Sequence, residues 1–347
     1  MREGWTYKKL GEVCEVYQPK TLSTEDLVAD GDYPVYGANG IIGRYNSYNH
    51  EFPEVLLTCR GATCGTINIS QPFSWVNGNA MVIHRKSDDL SFDFLKYIML
   101  SLDYSMIITG AAQPQITRQK LAPTVISYPS LSEQQSIVAE LDKINELISL
   151  KKAQLSDLDS LAQSIFYDMF GDPIENEKGW EVKKLGEDCS LKAGKSIKAS
   201  DLVEKKDNIF PCYGGNGIRG YIDRFSHEMD LPIIGRQGAL CGNVNFAKGP
   251  FYATEHAVVV TPVVNLDVVW LYYILKGLRL ENFAHGVAQP GISVGDLNPI
   301  PLPIPPLTLQ QGFAKRIELI EQQKALISST IKDLETLLAS RMQYWFD

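Results

Sequence analysis

The sequence lacks any long hydrophobic run, and this absence argues against a helical membrane protein. No stretch reaches the roughly 18–20 consecutive apolar residues that a membrane-spanning helix requires. The first ten residues, MREGWTYKKL, contain no apolar core of the kind found in a secretory signal peptide. We therefore expect a soluble protein that stays in the cytoplasm.

Cysteine is scarce, with six residues among 347. That number over this length does not suggest a disulfide framework. Cys59 and Cys64 are the only close pair, and no His-x3-His pair follows them, so the pattern favours small buried thiols over a metal site. Reduced cysteines also fit a cytoplasmic protein.

An excess of positive charge is missing too. The net charge is −8, whereas a DNA-binding protein usually has a basic footprint. Residues 131–172, a predicted helix, hold −5 of this charge, and the larger segments 1–130 and 173–306 are close to neutral. Because a local basic face can lie on a neutral domain, the charge neither indicates nor excludes DNA binding.

Motifs that mark catalytic sites are also absent. Gly194-Lys195-Ser196 is similar to the end of a phosphate-binding loop, but Cys189 stands where that motif requires glycine. The sequence contains no dinucleotide-binding glycine motif after a strand, no Asn-Pro-Pro-aromatic motif of an amino-methyltransferase and no G-x-S-x-G elbow. The five histidines show no metal-ligand spacing. We predict no catalytic site, bound cofactor or metal in this chain.

What the sequence does contain is a second copy of itself. Four blocks recur in the same order at offsets of 175–177 residues. In the first copy they are WxxKKLGExC from Trp5, PxYGxNGIxG from Pro34, GAxCGxxN from Gly61 and GxAQPxI from Gly110. The period is far too long for a solenoid repeat and indicates duplication of a whole domain.

Each copy ends in a long helix-forming segment. Apolar residues follow a 3-4 heptad spacing over residues 141–169 and again over 317–345, interrupted by Lys151, Lys324 and Arg341. A seam sustained over four heptads favours coiled-coil pairing, and pairing within the chain would cover both seams. At 1.5 Å per residue, each helix of about 38 residues would be roughly 55–60 Å long.

The ends of these helices are also readable. Residues 129–135, PSLSEQQ, and 305–311, PPLTLQQ, place proline before a Ser or Thr N-cap. The first helix should end near residues 170–173, FGDP, where a glycine stop is followed by proline.

The region before each long helix contains short strand patterns separated by glycine turns. Strand candidates are residues 55–58, 80–83 and 257–260, and helix candidates are 94–99 and 270–275. We predict an α+β fold in which two duplicated domains are each followed by a long α-helix, and the two helices pair as an antiparallel coiled coil.

These features resemble the specificity (S) subunits of Type I restriction–modification systems. The resemblance rests on the WxxKKLGE openings, the GxAQPxI blocks, the PxLSEQQ helix start and the paired helices, and it covers essentially the whole chain. One departure is Leu309 in the second helix start, where the first has Glu133. The chain is also compact for this family, which leaves the length of the spacer open.

The resemblance implies a DNA-recognition protein for phage defence. It implies target recognition domains at residues 1–130 and 173–306, one for each half of a split, asymmetric site, and spacer helices at residues 131–172 and 307–347. The implied partners are double-stranded DNA, two methyltransferase (M) subunits docked on the spacer helices, and motor-nuclease (R) subunits joined through them. S-adenosylmethionine would then belong to the M subunits, and ATP and magnesium to the R subunits.

Comparison of the two copies also selects candidate residues for DNA contact. Polar positions that differ between the copies could read different half-sites, and their side chains have the chemistry to pair with base edges. These DNA-binding candidates are Arg44, Arg60, Asn79, Gln115, Arg219, Arg236, Gln237 and His256. Positions shared by both copies are candidates for a role in the fold or for contact with the DNA backbone: Asn39, Gln113, Asn216 and Gln289. For the two asparagines an Asn-Gly turn is favoured, and for the two glutamines a hydrogen bond within the fold.

Other functions stay open on the sequence alone. The chain could be a scaffold that binds protein, an enzyme such as a nuclease without a recognisable motif, or the recognition subunit of a methylation-only complex. Magnesium-dependent cleavage by the isolated chain would indicate a nuclease. DNA binding that ignores sequence and depends weakly on salt would indicate a scaffold.

Overall fold

The computed structural model forms two compact units. Unit 1 comprises residues 1–151 and 330–347, and unit 2 comprises residues 152–329. The residues that the structure describes are 2–110, 113–206, 208–286 and 290–347.

The long helices α4 and α8 were both predicted from the sequence. The helices are α1 (Leu10–Val13), α2 (Phe92–Ser101), α3 (Arg118–Leu121), α4 (Leu131–Phe170), α5 (Leu185–Asp188), α6 (Val268–Gly277), α7 (Val294–Leu297) and α8 (Leu307–Phe346). Short 3₁₀ turns lie at Thr24–Asp26, Ala199–Asp201 and Leu280–Phe283. The helix α4 ends before Gly171, whose φ of +75° is the left-handed conformation that favours glycine, as predicted.

Each copy contains nine strands among the described residues. Those of the first copy are β1 (Thr6–Lys9), β2 (Cys14–Tyr17), β3 (Tyr33–Gly37), β4 (Gly40–Tyr45), β5 (Val55–Thr58), β6 (Ile67–Ile69), β7 (Trp75–Val76), β8 (Ala80–Arg85) and β9 (Val125–Tyr128). Those of the second copy are β10 (Glu181–Lys184), β11 (Cys189–Ala193), β12 (Phe210–Gly214), β13 (Gly217–Ile222), β14 (Leu231–Gly235), β15 (Val244–Ala247), β16 (Tyr252–Ala253), β17 (Ala257–Pro262) and β18 (Pro301–Ile304).

The main sheet of unit 1 is antiparallel, with strand order β2-β8-β5-β6. Its central strands β5 and β8 are apolar on both faces, so both faces must be covered. Leu57 and Ile83 pack with α2 in one core cluster, whereas Leu56 and Val82 pack with Tyr36 in another. Tyr36 belongs to a second sheet, β4-β3-β7, and a third sheet pairs β1 with β9.

Unit 2 repeats this architecture strand for strand. Its sheets have the orders β11-β17-β14-β15, β13-β12-β16 and β10-β18. Ile234 and Val258 face the cluster that includes α6, whereas Ile233 and Val259 face the cluster that includes Phe251. The predicted duplication of an α+β domain is therefore confirmed.

The helices α4 and α8 pair in antiparallel fashion within unit 2. The Phe170 and Phe313 rings lie 5.5 Å apart between centroids, and Lys324 Nζ lies 2.7 Å from Asp159 Oδ1. From Phe170 to Asp159 the residue number on α4 decreases, while that of the partner on α8 increases from Phe313 to Lys324. This confirms the predicted antiparallel pairing. In unit 1, Arg341 pairs with Glu140. Two of the charged residues that interrupt the heptad seam therefore form ion pairs between the helices.

A buried glutamine fixes the start of each long helix. The Gln134 side chain donates to Pro129 O at 2.9 Å and accepts from Ser91 N at 2.8 Å, which ties α4 to the start of α2. Gln310 donates to Pro305 O in the same way and accepts from Asp267 N, both at 2.9 Å. The repeated glutamine of the two helix starts therefore has a structural role.

The N-caps predicted for these helices differ in outcome. Of the two serines in the first helix start, Ser130 caps α4, because its Oγ accepts from Glu133 N at 3.4 Å. Ser132, which is equivalent to Thr308 in the repeat, lies inside α4. The predicted threonine cap of the second helix is wrong, because α8 begins at Leu307 and Thr308 lies inside it. The carbonyl of Pro306 already accepts from Gln310 N at 3.2 Å, so the helix begins before Thr308.

The Arg341–Glu140 pair leads to a pH-dependent prediction. Replacing Arg341 with alanine should destabilise unit 1 at neutral pH, because it removes the ion pair with Glu140. The Arg341 guanidinium, 3.0 Å from Glu140 Oε2 through Nη2, lowers the pKa of the Glu140 carboxyl. Since the folded pKa lies below the unfolded value of about 4.3, this stabilisation is present above that pH and is lost as pH falls through the folded pKa.

Urea unfolding at neutral pH and near pH 3 tests this prediction. The difference between wild type and Arg341→Ala should shrink at the lower pH. Lys143→Ala is the control, since its pair with Glu146 is exposed and lies within one helix. An effect of Arg341→Ala that is independent of pH, or no larger than that of the control, would contradict the prediction.

Candidate functional site

Two DNA-binding candidates of unit 1 that differ between the copies, Arg60 and Gln115, lie where the third repeated block pairs with the fourth. The segment after β5 runs beside residues 114–116, and Ile116 N donates to Cys59 O at 3.0 Å. This pairing forms a bridge between Arg60 and Gln115. Two candidates that are distant in the sequence therefore lie side by side.

The same junction exists in unit 2. Ile292 N donates to Arg236 O at 3.0 Å, and Gln237 forms the bridge with Gly291. The backbone is the same as in unit 1, but Gly291 has no side chain where the first copy has Gln115. The two junctions thus share a framework and differ in the groups that they present.

A glycine with a positive φ begins the third repeated block in both copies. Gly61 and Gly238 directly follow Arg60 and Gln237, and both have a φ of +88°. This left-handed conformation is easy for glycine and unfavourable for other residues. The shared glycines therefore turn the backbone, while the preceding residue is free to differ.

A further candidate lies beside each junction: Asn79 in unit 1 and His256 in unit 2. Cys59 Sγ donates to Asn79 O at 3.3 Å, which places the exposed Asn79 beside the Arg60 segment. In unit 2, His256 Nδ1 lies 2.8 Å from Gln237 Oε1, and Arg236 N donates to His256 O at 3.1 Å. We name these groups edge 1 (Arg60, Asn79 and Gln115) and edge 2 (Arg236, Gln237 and His256).

A cleft of about 430 Å³ opens beside edge 1. Its lining residues are Tyr17, Gln18, Arg60, Met81, Gln115, Ile116, Thr117, Arg118 and Gln119. Arg60, Arg118, Gln115 and Gln119 are exposed, and no acidic side chain is among the lining residues that the structure describes. Two guanidinium groups with several amides are suited to a polyanion that also offers base edges.

Gln18, Arg118 and Gln119 also line this cleft, although they are not among the candidates predicted from the sequence. The copies differ at all three positions, because Ala193, Val294 and Gly295 stand there in the second copy. These residues lie outside the four repeated blocks, and for that reason the comparison did not reach them. The fold brings Arg118 and Gln119 to edge 1 because α3 follows directly on the segment that pairs with Arg60. Gln18 reaches edge 1 from the end of β2 and donates to Cys59 Sγ at 3.1 Å.

The candidates Arg44 and Arg219 lie on the hairpin strands β4 and β13 and belong to neither edge. Arg44 donates from Nε to Gly31 O at 2.5 Å and from Nη2 to Asp32 O at 2.7 Å. Arg219 is exposed, and its side chain has no hydrogen-bond partner among the described residues. Arg44 is thus partly engaged within the domain, whereas the Arg219 guanidinium is open.

The shared asparagines lie in two-residue hairpin turns, as the Asn-Gly pattern predicts. The positive φ belongs to the following glycine, +114° at Gly40 and +105° at Gly217, and not to the asparagine. Asn39 Oδ1 accepts from Thr63 Oγ1 at 2.6 Å. Asn216 has no side-chain partner within the described ranges, since Leu240 stands at the position of that threonine.

The shared glutamines remain candidates for DNA contact. Gln113 is exposed, and its side chain forms no hydrogen bond with the residues that the structure describes. Gln289 lies outside the described residues. The hydrogen bond within the fold that the sequence favours for these residues is therefore not found for Gln113.

The cysteines are free thiols, and five of the six are buried. Burial raises the pKa of Cys14 and Cys189 to about 12, so both thiols stay protonated at neutral pH. No group of three or more His, Cys, Asp or Glu side chains arranged to hold a metal occurs in the described part of the chain. No described helix has the length and hydrophobicity of a membrane span.

Comparison with known proteins identifies the family. The model of the Type I restriction modification DNA specificity domain matches residues 2–159 and, a second time, residues 177–336. The chain belongs to this family. The two matches correspond to the two copies in the sequence, so the resemblance drawn from the repeated motifs is confirmed.

Relatives within the family carry the same description. The Type I restriction enzyme EcoprrI specificity subunit of Escherichia coli is 41% identical over 187 residues, covering 52% of this chain and 46% of that protein. This chain thus matches less than half the length of that relative. The Type I restriction enzyme MjaIX specificity subunit of Methanocaldococcus jannaschii is 24% identical over 328 residues, covering 80% of this chain and 74% of that protein.

Solved structures agree in fold. The Type I restriction–modification S subunit from M. genitalium has a TM-score of 0.63 at 18% identity, covering 99% of this chain and 96% of that chain. A chain from a study of assembly and conformational transition of the type I R-M system has a TM-score of 0.61 at 19% identity, covering 99% of this chain and 97% of that one. At these identities the likeness shows the fold alone.

Proposed function

We propose that this chain is the DNA-recognition subunit of a Type I restriction–modification complex and reads a split, asymmetric DNA site. The observation that supports this function is the relation between edges 1 and 2. They share one backbone bridge, yet Gln237 replaces Arg60 and His256 replaces Asn79. Equivalent frameworks with unlike polar side chains are suited to two half-sites of different sequence.

Each copy then has one part that reads DNA and one that binds protein. Residues 1–130 and 173–306 are the target recognition domains, and residues 131–172 and 307–347 are spacer helices on which two M subunits dock. The R subunits join through the M subunits. The chain itself is not catalytic, because S-adenosylmethionine, ATP and magnesium belong to these partners.

The edge residues contact bases, and the others contact the DNA backbone or hold the fold. Arginine pairs with guanine O6 and N7, and asparagine and glutamine pair with adenine N6 and N7. The base-contacting residues are Arg60, Asn79, Gln115, Arg236, Gln237 and His256. Arg44 and Arg219 bind DNA outside the two edges. The DNA-backbone or fold residues are Asn39, Gln113, Asn216 and Gln289.

Methylation mapping in a host cell tests this function. Co-expression with the M subunit encoded beside it should methylate adenines at one split, asymmetric motif. Omitting this chain should abolish that methylation. If the methylation pattern is the same without this chain, the proposed function fails and a protein-binding scaffold takes its place.

A domain exchange tests the division of the site. Replacing residues 1–130 with the corresponding domain of a relative should alter one half of the motif and leave the other half unchanged. A change in both halves would contradict the assignment of one half-site to each domain.

A further inference from the structure

Equivalent carbonyl oxygens beside the two edges are held by different side chains. In unit 1, Gln18 Nε2 donates to Gly78 O at 2.9 Å. In unit 2, Arg236 Nη1 donates to Glu255 O at 3.4 Å. Gly78 and Glu255 are equivalent in the repeat, since Gly78 directly precedes Asn79 and Glu255 directly precedes the equivalent His256. The same backbone group is therefore satisfied from two different positions of the chain.

Neither side chain has a counterpart at its own position in the other copy. The strand registers of β2 with β8 and of β11 with β17 align Gln18 with Ala193. The offset of the third block aligns Arg236 with Cys59. In unit 1 the long polar side chain is that of Gln18, and the small residue that leaves room for it is Cys59. In unit 2 the long polar side chain is that of Arg236, and the small residue is Ala193. The two positions have exchanged roles between the copies.

The burial of Cys59 decides which residue of unit 1 can reach DNA. Cys59 is fully buried, so it cannot contact a base although it occupies the position of Arg236. Its sulfur instead accepts from Gln18 Nε2 at 3.1 Å. With Nε2 held by this sulfur and by Gly78 O, Gln18 keeps Oε1 as an acceptor without a partner among the described residues. Gln18 is exposed and lines the cleft beside edge 1.

Arg236 offers the opposite hydrogen-bonding character. Its Nη1 is held by Glu255 O, and its Nε is buried without a hydrogen-bond partner in the described part of the chain. Its Nη2 also has no hydrogen-bond partner among the described residues. A guanidinium only donates, whereas the free Oε1 of Gln18 only accepts.

We propose that Gln18, and not Cys59, is the counterpart of Arg236, and that the two side chains read equivalent bases of the two half-sites. Gln18 accepts from an exocyclic amino group, adenine N6 or cytosine N4, and Arg236 donates to guanine O6 and N7. Cys59 is a positioning residue that acts through Gln18. This inference rests on the proposed function and adds a specificity position outside the repeated blocks.

Selection from a randomised duplex DNA library tests the inference. The full chain, co-purified with its M subunits, is used in wild-type form and as the paired exchange Gln18→Ala with Cys59→Arg. The exchange should change the preference at one position of one half-site from adenine or cytosine to guanine. The reciprocal exchange, Ala193→Gln with Arg236→Cys, should make the opposite change in the other half-site.

Single variants separate the roles of the two residues. Gln18→Ala should lower discrimination at the affected position by about tenfold, and Cys59→Ala should have a smaller effect at that same position. Gln71→Ala is the matched control, because Gln71 is an exposed glutamine of unit 1 outside the cleft. Intact preferences at the remaining positions of the half-site show that the variant is folded. If Gln18→Ala abolishes a whole half-site, the reciprocal exchange in unit 2 decides.

The outcomes distinguish this inference from the proposed function. If wild type selects a split motif and neither Gln18→Ala nor the Arg236 exchange alters any position, the inference is overturned and the proposed function stands. If wild type selects no motif at all, both are overturned. A preference that changes at one position only, in the directions given above, supports the inference.

Discussion

Replacing Phe166 with alanine should lower the free energy of unfolding of unit 2 by about 3–5 kcal/mol. Phe166 is 2% exposed, and its ring centroid lies 5.3–6.1 Å from the rings of Phe170, Tyr273 and Phe313. These rings belong to α4, α6 and α8, and rigid helices cannot close the cavity that truncation leaves. The loss includes both the buried area and the preferred edge and tilted geometry of aromatic pairs.

Leu161→Ala is the matched control for this prediction. Leu161 lies on the same helix but is 47% exposed, so its truncation should cost well under about 1 kcal/mol. Chemical denaturation monitored by tryptophan fluorescence measures both variants, since unit 2 contains Trp180 and Trp270. Equal losses for the two variants would show that the aromatic cluster is not what holds α4, α6 and α8 together.

The double replacement Arg60→Ala with Gln115→Ala should abolish base discrimination at one or two positions of one half-site. Each good contact with a base edge contributes about 1–3 kcal/mol, which corresponds to roughly 5-fold to 150-fold in preference per position. The two side chains are neighbours across the bridge and line one cleft, so their losses should fall on adjacent bases. Selection from a randomised duplex library, with the M subunits present, measures the effect.

Arg118→Ala is the matched control for edge 1. Arg118 lines the same cleft, and we expect its guanidinium to contact phosphate. Its loss should weaken binding to all sequences alike and reduce the salt dependence of affinity, without changing the selected motif. A motif unchanged by the double replacement, or changed equally by Arg118→Ala, would contradict the role of edge 1 in base reading.

Substituting the residues of the other copy sharpens this test. Arg60→Gln with Gln115→Gly gives edge 1 the groups that unit 2 presents at the same bridge. The preference of the altered half-site should then approach that of the other half-site at these positions. Alanine replacements remove contacts, whereas this exchange tests whether the side chains themselves specify the base.

Local sequence signals predicted the two long helices and part of the secondary structure that precedes each of them. The heptad seam predicted α4 and α8, and the glycine after Phe170 marked the end of the first. The Thr308 cap was wrong because a proline carbonyl and the buried Gln310 fix the start of α8, and a cap pattern does not include such contacts. The Asn-Gly turns were found, although the left-handed residue is the glycine.

The sequence by itself determined the duplication, the two long helices and the family, because repeated blocks and heptad spacing are read along the chain without knowledge of contacts. Only the tertiary structure decided which residues form the edges, because the bridges join segments far apart in the sequence. It also decided that Gln18 lies at the place that Arg236 occupies in the other copy. Comparing the two copies position by position does not detect that Gln18 and Arg236 are counterparts, because they stand at different positions of the repeat. Their equivalence depends on which side chain donates to the carbonyl of Gly78 or Glu255 in the folded domain.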